Sequence, residues 1–498
     1  MPEHKDYLTA SDYYRFLQCP HWPYYERFAT DEERGLKRAL TESEIKRQED
    51  GLAHEAEVIR ELFAGQEVLE APQSSDFEKD CQDTLELMRQ GLPLIYQGTL
   101  THDDWTGRPD LLRRVEGESD LGSWHYEPVD IKSAHHLEKY HRLQLMFYAV
   151  LLEALQGRFP ATGFILAKDK TEIPIQLGEH VAEFQEYTQE LERIRAGEKP
   201  DPVLRKSCLD TGPWGEVCQR LAQSTDDIAQ LFNVDVRRLK ALRELGIRTL
   251  ADAAEMDVVD LDGRAPGLRL HGLEVAKLQA QSLKRESVIV REPVVLGTPD
   301  MEIHFDIESD PPNDMDYLYG FLIRQKGQPD VYRPFVAERL EDEEKMWRAF
   351  LEWLEQLPLD YHVIHYASYE KVRLAVMEKR YGGSQALDAF RERMVDLKQV
   401  VTSSLVLPLY FYGLKYIAKF LGYRWRGEVT GGGQSIDVFE KFLATNERRL
   451  LDQIIMYNED DVRATALVAD WCRAYARQIT AYDKPYAWEK GFERTYPQ

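Results

Sequence analysis

Residues 303–308 read Ile-His-Phe-Asp-Ile-Glu, and this alternation constrains the fold more than any other stretch. Successive side chains of a strand point to opposite faces, so Ile303, Phe305 and Ile307 face one way while Asp306 and Glu308 face the other. Two neighbouring acids on a buried strand face are expensive unless a cation neutralises them. The sequence therefore calls for a sheet whose one face packs into a core and whose other face holds a cation. Residues 317–323 read as the next strand, residues 341–356 as a helix and residues 361–365 as a further strand. Ser368 then stands where a cap would start a helix containing Glu370. Near the end, Tyr457 and Asp461 stand at i and i+4 of a long amphipathic helix, a spacing that brings both to one face. Gly431-Gly432-Gly433 reads as a mobile loop.

The chain has 498 residues, more than one hydrophobic core usually organises, and suggests about three domains. Pattern changes place them at 1–205, 206–292 and 293–498. Hydrophobic residues at 43% and charged residues at 30% exclude a disordered or collagenous chain. Sixty-three basic against 87 acidic side chains leave a net charge of −24, which repels nucleic acid and anionic membrane as a whole. Any nucleic-acid function must then rest on local basic patches and bound cations. The longest apolar run, around residues 145–152, is far short of the ~18–20 residues of a membrane span. Residues 1–6 lack the apolar stretch of a secretory signal. Five cysteines, an odd number, fit a reducing compartment. A cytoplasmic protein with no membrane partner is the expectation.

A second constellation lies between residues 107 and 148. Gly107-Arg108-Pro109-Asp110 precedes Asp130-Ile131-Lys132, and turn residues between Gly117 and Gly122 allow the two runs to pair as a hairpin. Asp110 and Asp130 would then share a divalent cation, with Lys132 orienting or deprotonating water and steadying phosphate charge. The plainer reading is a surface hairpin with an ordinary Asp–Lys pair. Residues 138–155 carry an apolar stripe of Leu143, Phe147, Val150, Leu151 and Leu155, with Gln144 and Tyr148 on adjacent turns. His54, in a helical stretch upstream, offers a further ligand.

This ordered set, with Tyr7-Leu8-Thr9-Ala10-Ser11 and Phe16-Leu17-Gln18-Cys19-Pro20 at the start, resembles the RecB-like branch of the PD-(D/E)XK nucleases. The resemblance implies a restriction-endonuclease-like domain in which His54, Asp110, Asp130 and Lys132 bind metal and activate water. Gln144 and Tyr148 would touch the nucleic-acid strand. Many nucleases of that branch carry an iron–sulfur cluster on one early and three later cysteines. Here Cys19, Cys208 and Cys218 are present, but residues 209–217 lack the third late cysteine and Cys81 lies elsewhere. The incomplete set argues against an iron–sulfur cluster and leaves remnant buried thiols as the main expectation. A Cys19/His21/Cys208/Cys218 zinc site has acceptable ligand types.

The middle segment is similar to helix-hairpin-helix modules: residues 242–250 read as a helix end, a Gly turn and a new helix capped by Thr249. Such turns grip phosphates without reading bases, and Arg243 and Arg248 would contribute. A helical spacer is the alternative.

Four spread carboxylates resemble the DEDD exonucleases of the RNase H-like superfamily. Asp306-Ile307-Glu308 matches the first motif and Tyr457-Asn458-Glu459-Asp460-Asp461 the third. His365-Tyr366-Ala367-Ser368-Tyr369-Glu370 occupies the second, with Tyr366 for Asn and Glu370 for Asp, and Asp396 sits at a further acidic position. The order of both resemblances is that of bacterial RecB-like nucleases with a C-terminal DEDD-type domain. It implies an α/β multidomain enzyme that hydrolyses phosphodiesters with Mg²⁺ or Mn²⁺ in repair, recombination or defence. In it Asp306, Glu308, Glu370 and Asp461 hold metal and Tyr457 places water. The implied substrate is DNA, single-stranded or with free ends, with RNA a further option at the C-terminal centre. The rival is a nucleic-acid-binding scaffold with one or both nuclease folds inactive.

Overall fold

The computed structural model describes residues 7–62, 67–132, 137–232, 234–429 and 431–478. Residues 1–6, on which the reading of a missing signal rests, lie outside these. The chain divides into two compact units, Met1–Ser224 and Thr225–Gln498. Among the described residues no helix is long and apolar enough to cross a membrane.

The first unit is built on a six-stranded mixed sheet, in the order Val68–Glu70, Leu94–Tyr96, Leu111–Ser119, Gly122–Ile131, Thr162–Leu166, Glu172–Gln176. The two long central strands form an antiparallel hairpin in which Leu111 pairs with Val129. The Gly122–Ile131 strand runs parallel to Thr162–Leu166, so the chain must cross over between them, and helix Lys139–Gln156 makes that crossing. Its stripe enters the core as the periodicity requires: Leu143, Phe147 and Leu151 are buried, and Val150 and Leu155 pack at its edge.

The second unit has a five-stranded sheet, in the order Val331–Val336, Met315–Gln325, Met301–Asp310, His362–His365, Met394–Asp396. The first three strands are antiparallel and the last two join in parallel. Alternation sorts the Met301–Asp310 strand: Ile303, Phe305 and Ile307 enter an aromatic core with Phe321, Phe350 and Trp353. The opposite sheet face is covered by the 31-residue helix Arg448–Gln478, where Leu322 meets Val462 and Ala466.

Three expectations are corrected. Residues 206–292 do not stand apart as one segment. Helices Lys206–Thr211 and Gly215–Ser224 belong to the first unit, where Trp214 Nε1 donates to Glu26 at 3.1 Å and its ring lies 5.4 Å from that of Tyr25. The stretch after Ser224 belongs to the second unit. There Gln279 Nε2 donates to the Leu409 carbonyl at 3.0 Å, and strand Ile289–Val290 pairs with Leu405–Val406. The three glycines are not a loop, because Gly432 and Gly433 open helix Gly432–Thr445. Ser368 precedes helix Tyr369–Tyr381 but makes no side-chain capping bond.

Candidate functional site

In the second unit, ligand oxygens of Asp306, Glu308 and Asp461 all lie within 4.8 Å of one another. Strand alternation delivers the first two, and the long helix delivers the third from the facing side. Room for the helix comes from Gly320, which pairs with Asp306 across the sheet; a Cβ there would stand 1.5 Å from Asn458 Oδ1. Asn458 uses this space to donate from Nδ2 to Asp306 Oδ2 at 2.8 Å, and its own Oδ1 accepts from the Tyr332 hydroxyl at 2.9 Å. Trp425 Nε1 donates to Asp461 Oδ1 at 2.6 Å.

Burial and mutual repulsion dominate the electrostatics. Burial first, then the Glu308 and Asp461 charges, push Asp306 well above the usual carboxylate range. Burial and Asp461 push Glu308 up to about 8. Asp461 is also raised, by burial, although Lys415 and the Trp425 hydrogen bond pull it down. Lys415 opposes the shift in all three acids and donates to the Tyr457 hydroxyl at 2.6 Å. Three hard oxygen donors in a crowded, half-neutralised cluster suit a divalent cation of the Mg²⁺ or Mn²⁺ type.

Glu370 is not one of the three. It is buried, with Oε2 3.3 Å from His365 Nδ1, yet its charge still raises Asp306. Asp396 has a structural post: its Oδ1 accepts from the backbone N–H groups of Lys398 and Ala367, both at 2.9 Å. Ala367 is held there in the left-handed region at φ +73°, strain that a β-carbon makes real. Tyr366 donates its hydroxyl to the Tyr412 carbonyl at 2.6 Å.

The first unit brings together Asp110, Asp130, Lys132, Gln144 and Tyr148. Lys132 Nζ lies 2.7 Å from Asp130 Oδ2, and Gln144 Nε2 donates to Asp130 Oδ1 and the Tyr148 hydroxyl, both at 3.0 Å. Asp110 Oδ2 accepts from the Ile131 N–H at 2.6 Å. Burial and Asp130 raise Asp110 well above its ordinary value. Burial lowers Lys132, but the attraction of Asp130 and Asp110 outweighs it and the net shift is upward. Lys132 is therefore a firmly held cation. Its upward shift favours the expected role of orienting water and steadying phosphate charge over deprotonating water. Tyr148 is 4% exposed; its hydroxyl donates to the Arg108 carbonyl at 3.2 Å and accepts from Gln144, so it braces Gln144 and offers little surface of its own.

His54 Nε2 is buried without a hydrogen-bond partner, but among the described residues His54, Asp110 and Asp130 do not form a group of three close ligands. Its neighbour Glu55 was missed by the sequence reading. Glu55 is buried, accepts from Gln97 Nε2 at 2.9 Å, and adds to the repulsion at Asp110. The crowded oxygens of Asp110, Asp130 and Glu55 fit a cation.

Of the two arginines assigned to nucleic acid, Arg248 is exposed. Arg243 is 6% exposed and its Nη2 lies 2.7 Å from Asp227 Oδ1, so its charge is engaged inside the unit, which corrects the assignment. Leu239, Leu242 and Arg243 share one helix face, and that i, i+3, i+4 spacing was the available signal.

No curated protein matches the chain. Among solved structures, a family B DNA polymerase from the hyperthermophilic archaeon Pyrobaculum calidifontis is similar over 46% of this chain and 35% of its own, at 18% identity and a TM-score of 0.27. The match spans about a third of that polymerase, and at that score it bears on neither fold nor function. Residues 303–473 match the family model of the RNase_H superfamily. The segment that supplies Asp306, Glu308, Tyr457 and Asp461 is thus an RNase_H superfamily domain.

Proposed function

We propose that the chain is a divalent-metal-dependent nuclease, with one hydrolytic centre in each unit. The observation that carries this reading is the convergence of Asp306, Glu308 and Asp461 within the RNase_H superfamily domain. A bound divalent cation there would polarise a phosphoryl oxygen and lower the pKa of water. The chain's own residues do the rest. Asn458 and Trp425 fix the rotamers of Asp306 and Asp461, so the donors need little reorganisation. Lys415 keeps the acids partly ionised and holds the Tyr457 hydroxyl in place to orient the attacking water. Glu370, backed by His365, stands near enough to shift Asp306 and is the fourth acid of the proposed set.

In the first unit the reading is a RecB-like PD-(D/E)XK centre, supported by the Asp110, Asp130, Lys132 and Gln144 cluster on a central hairpin. Asp110, Asp130 and His54 would hold the cation there, with Lys132 facing the phosphate. Arg248, at the turn between two short helices, is the proposed phosphate contact of a helix-hairpin-helix-like stretch. The substrate is proposed to be DNA with free ends or single strands, with RNA a further option for the second centre.

End-labelled single- and double-stranded DNA and RNA, incubated with Mg²⁺ or Mn²⁺, test this. Product ladders should change separately in Asp306→Asn and Asp130→Asn and vanish in the double variant. Binding without cleavage by the wild type under every metal would instead support the scaffold reading.

A further inference from the structure

A second ligand-rich cluster lies in the first unit, apart from Asp110 and Asp130. Cys19 caps helix Ala10–Gln18, His21 opens helix His21–Phe28, and Cys208 and Cys218 come from helices Lys206–Thr211 and Gly215–Ser224. All four are at most 5% exposed. Ligand atoms of Cys19, His21 and Cys218 lie within 4.8 Å of one another. Cys208, buried beside them, stands outside that tight group but is near enough to shift the Cys19 and Cys218 thiols.

The distances carry a signature. Cys19 Sγ and Cys218 Sγ are 3.9 Å apart, and Cys218 Sγ lies 3.6 Å from His21 Nδ1. A disulfide would need about 2.05 Å between sulfurs, and none is formed. Tetrahedral zinc, with Zn–S near 2.3 Å and Zn–N near 2.0–2.1 Å, puts two sulfurs about 3.8 Å apart and a sulfur and nitrogen about 3.6 Å apart. A four-iron cluster ties each ligand to a different iron and spreads them more widely.

The histidine is prepared for the same role. His21 Nε2 lies 2.8 Å from the Pro200 carbonyl, which can only accept, so the ring proton sits on Nε2. Nδ1 then turns its lone pair toward the sulfurs, the tautomer a metal-ligating imidazole needs. Around Cys208 the backbone is wound tightly: a Cβ on Gly215 would stand 2.3 Å from its carbonyl oxygen.

We propose that Cys19, His21, Cys208 and Cys218 form a closed structural zinc site that staples the N-terminal helices to the helix pair spanning residues 206–224. On binding, three thiol protons leave to solvent as three Zn–S bonds form, and the centre carries one net negative charge. Arg205 offsets it: its guanidinium grips the carbonyls of Leu17 and Gln18 and its charge acts on Cys208. The site is independent of the nuclease reading.

Elemental analysis and zinc-edge X-ray absorption on the purified full chain, after growth with zinc, test it. The expected result is about one zinc per chain with three sulfurs near 2.3 Å and one nitrogen near 2.0–2.1 Å. Cys218→Ser and His21→Ala should lose most of that zinc, while Cys81→Ser and Cys472→Ser keep it. A chain that takes up no zinc, zinc with an oxygen-only shell, or iron and sulfide in its place would each overturn the proposal. If Cys218→Ser fails to fold, the wild-type absorption spectrum still decides.

Discussion

The Lys415 ammonium stands 2.6 Å from the Tyr457 hydroxyl, so a residue outside every motif positions the tyrosine beside the three acids of the second unit. Tyr457→Phe keeps the ring and its packing and removes only that hydroxyl. Cleavage by the second centre should fall about a hundredfold. Mg²⁺ binding measured by calorimetry should stay within about twofold, since no carboxylate is altered. A loss of both together would make Tyr457 a structural residue.

The raised acids fix a sign for the pH dependence of stability. Glu308 has its ordinary value at 4.5 and is pushed to about 8 in the fold. Between these values the folded chain holds a proton that the unfolded chain has lost. Stability of the metal-free protein therefore falls as pH rises through this window, by up to about 1.4 kcal/mol per pH unit, and levels off above the upper value. Asp306 and Asp461 shift in the same direction. Thermal melts should show the metal-free chain losing melting temperature between about pH 5 and pH 8, with Mg²⁺ restoring most of it at the alkaline end. A flat profile would mean the acids are ionised without a cation.

Gly320→Ala should damage the second centre without touching an acid. The new methyl group would meet Asn458 Oδ1 at 1.5 Å and force Asn458 off Asp306. The expected cost is about 2–3 kcal/mol in urea unfolding of the second unit, from overpacking and a lost hydrogen bond. Cleavage by that centre should drop, with the ladder from the first centre unchanged.

Asp130 and Lys132 should differ in what their removal does to the fold. Asp130 is fully buried, and Asp130→Ala strands the Lys132 cation and the Gln144 amide, a loss of about 3–5 kcal/mol. The side chain of Lys132 is 21% exposed, so Lys132→Met should cost about 1–2 kcal/mol. Cleavage by the first centre, assayed in an Asp306→Asn background, should vanish in both. Urea unfolding of the two variants checks the ranking.

The acids of the second centre were legible because strand alternation and helical spacing are local rules. Asp306, Glu308 and Asp461 each follow from the residues beside them. Lys415 and Trp425 were not, since a lone lysine or tryptophan has no period, and only the packed chain brings it to Tyr457 or Asp461. Glu55 was hidden by its neighbour: on a helix adjacent residues point about 100° apart, so the sequence does not show which of the two turns toward Asp110. Asp396 and Ser368 show a related limit. The capping rule found a Ser before the helix, but the carboxylate twenty-eight residues on, brought alongside by parallel strand pairing, holds that loop instead. The thiol cluster was legible in ligand type alone, because a 199-residue separation leaves no spacing rule to read.

Helix Arg448–Gln478 supplies Tyr457, Asn458 and Asp461 within little more than one turn. Asn458 meets Asp306 across 152 residues of sequence. At about 5–20 residues per second, a ribosome releases the first acids of this centre about 8–30 seconds before their partners. A nascent or truncated chain thus carries Asp306, Glu308 and Glu370 without Asp461 or Tyr457. Competence of this centre would arrive in one step with the docking of helix Arg448–Gln478, so on the proposed reading a chain cut short before that helix loses the second centre whatever the first unit does.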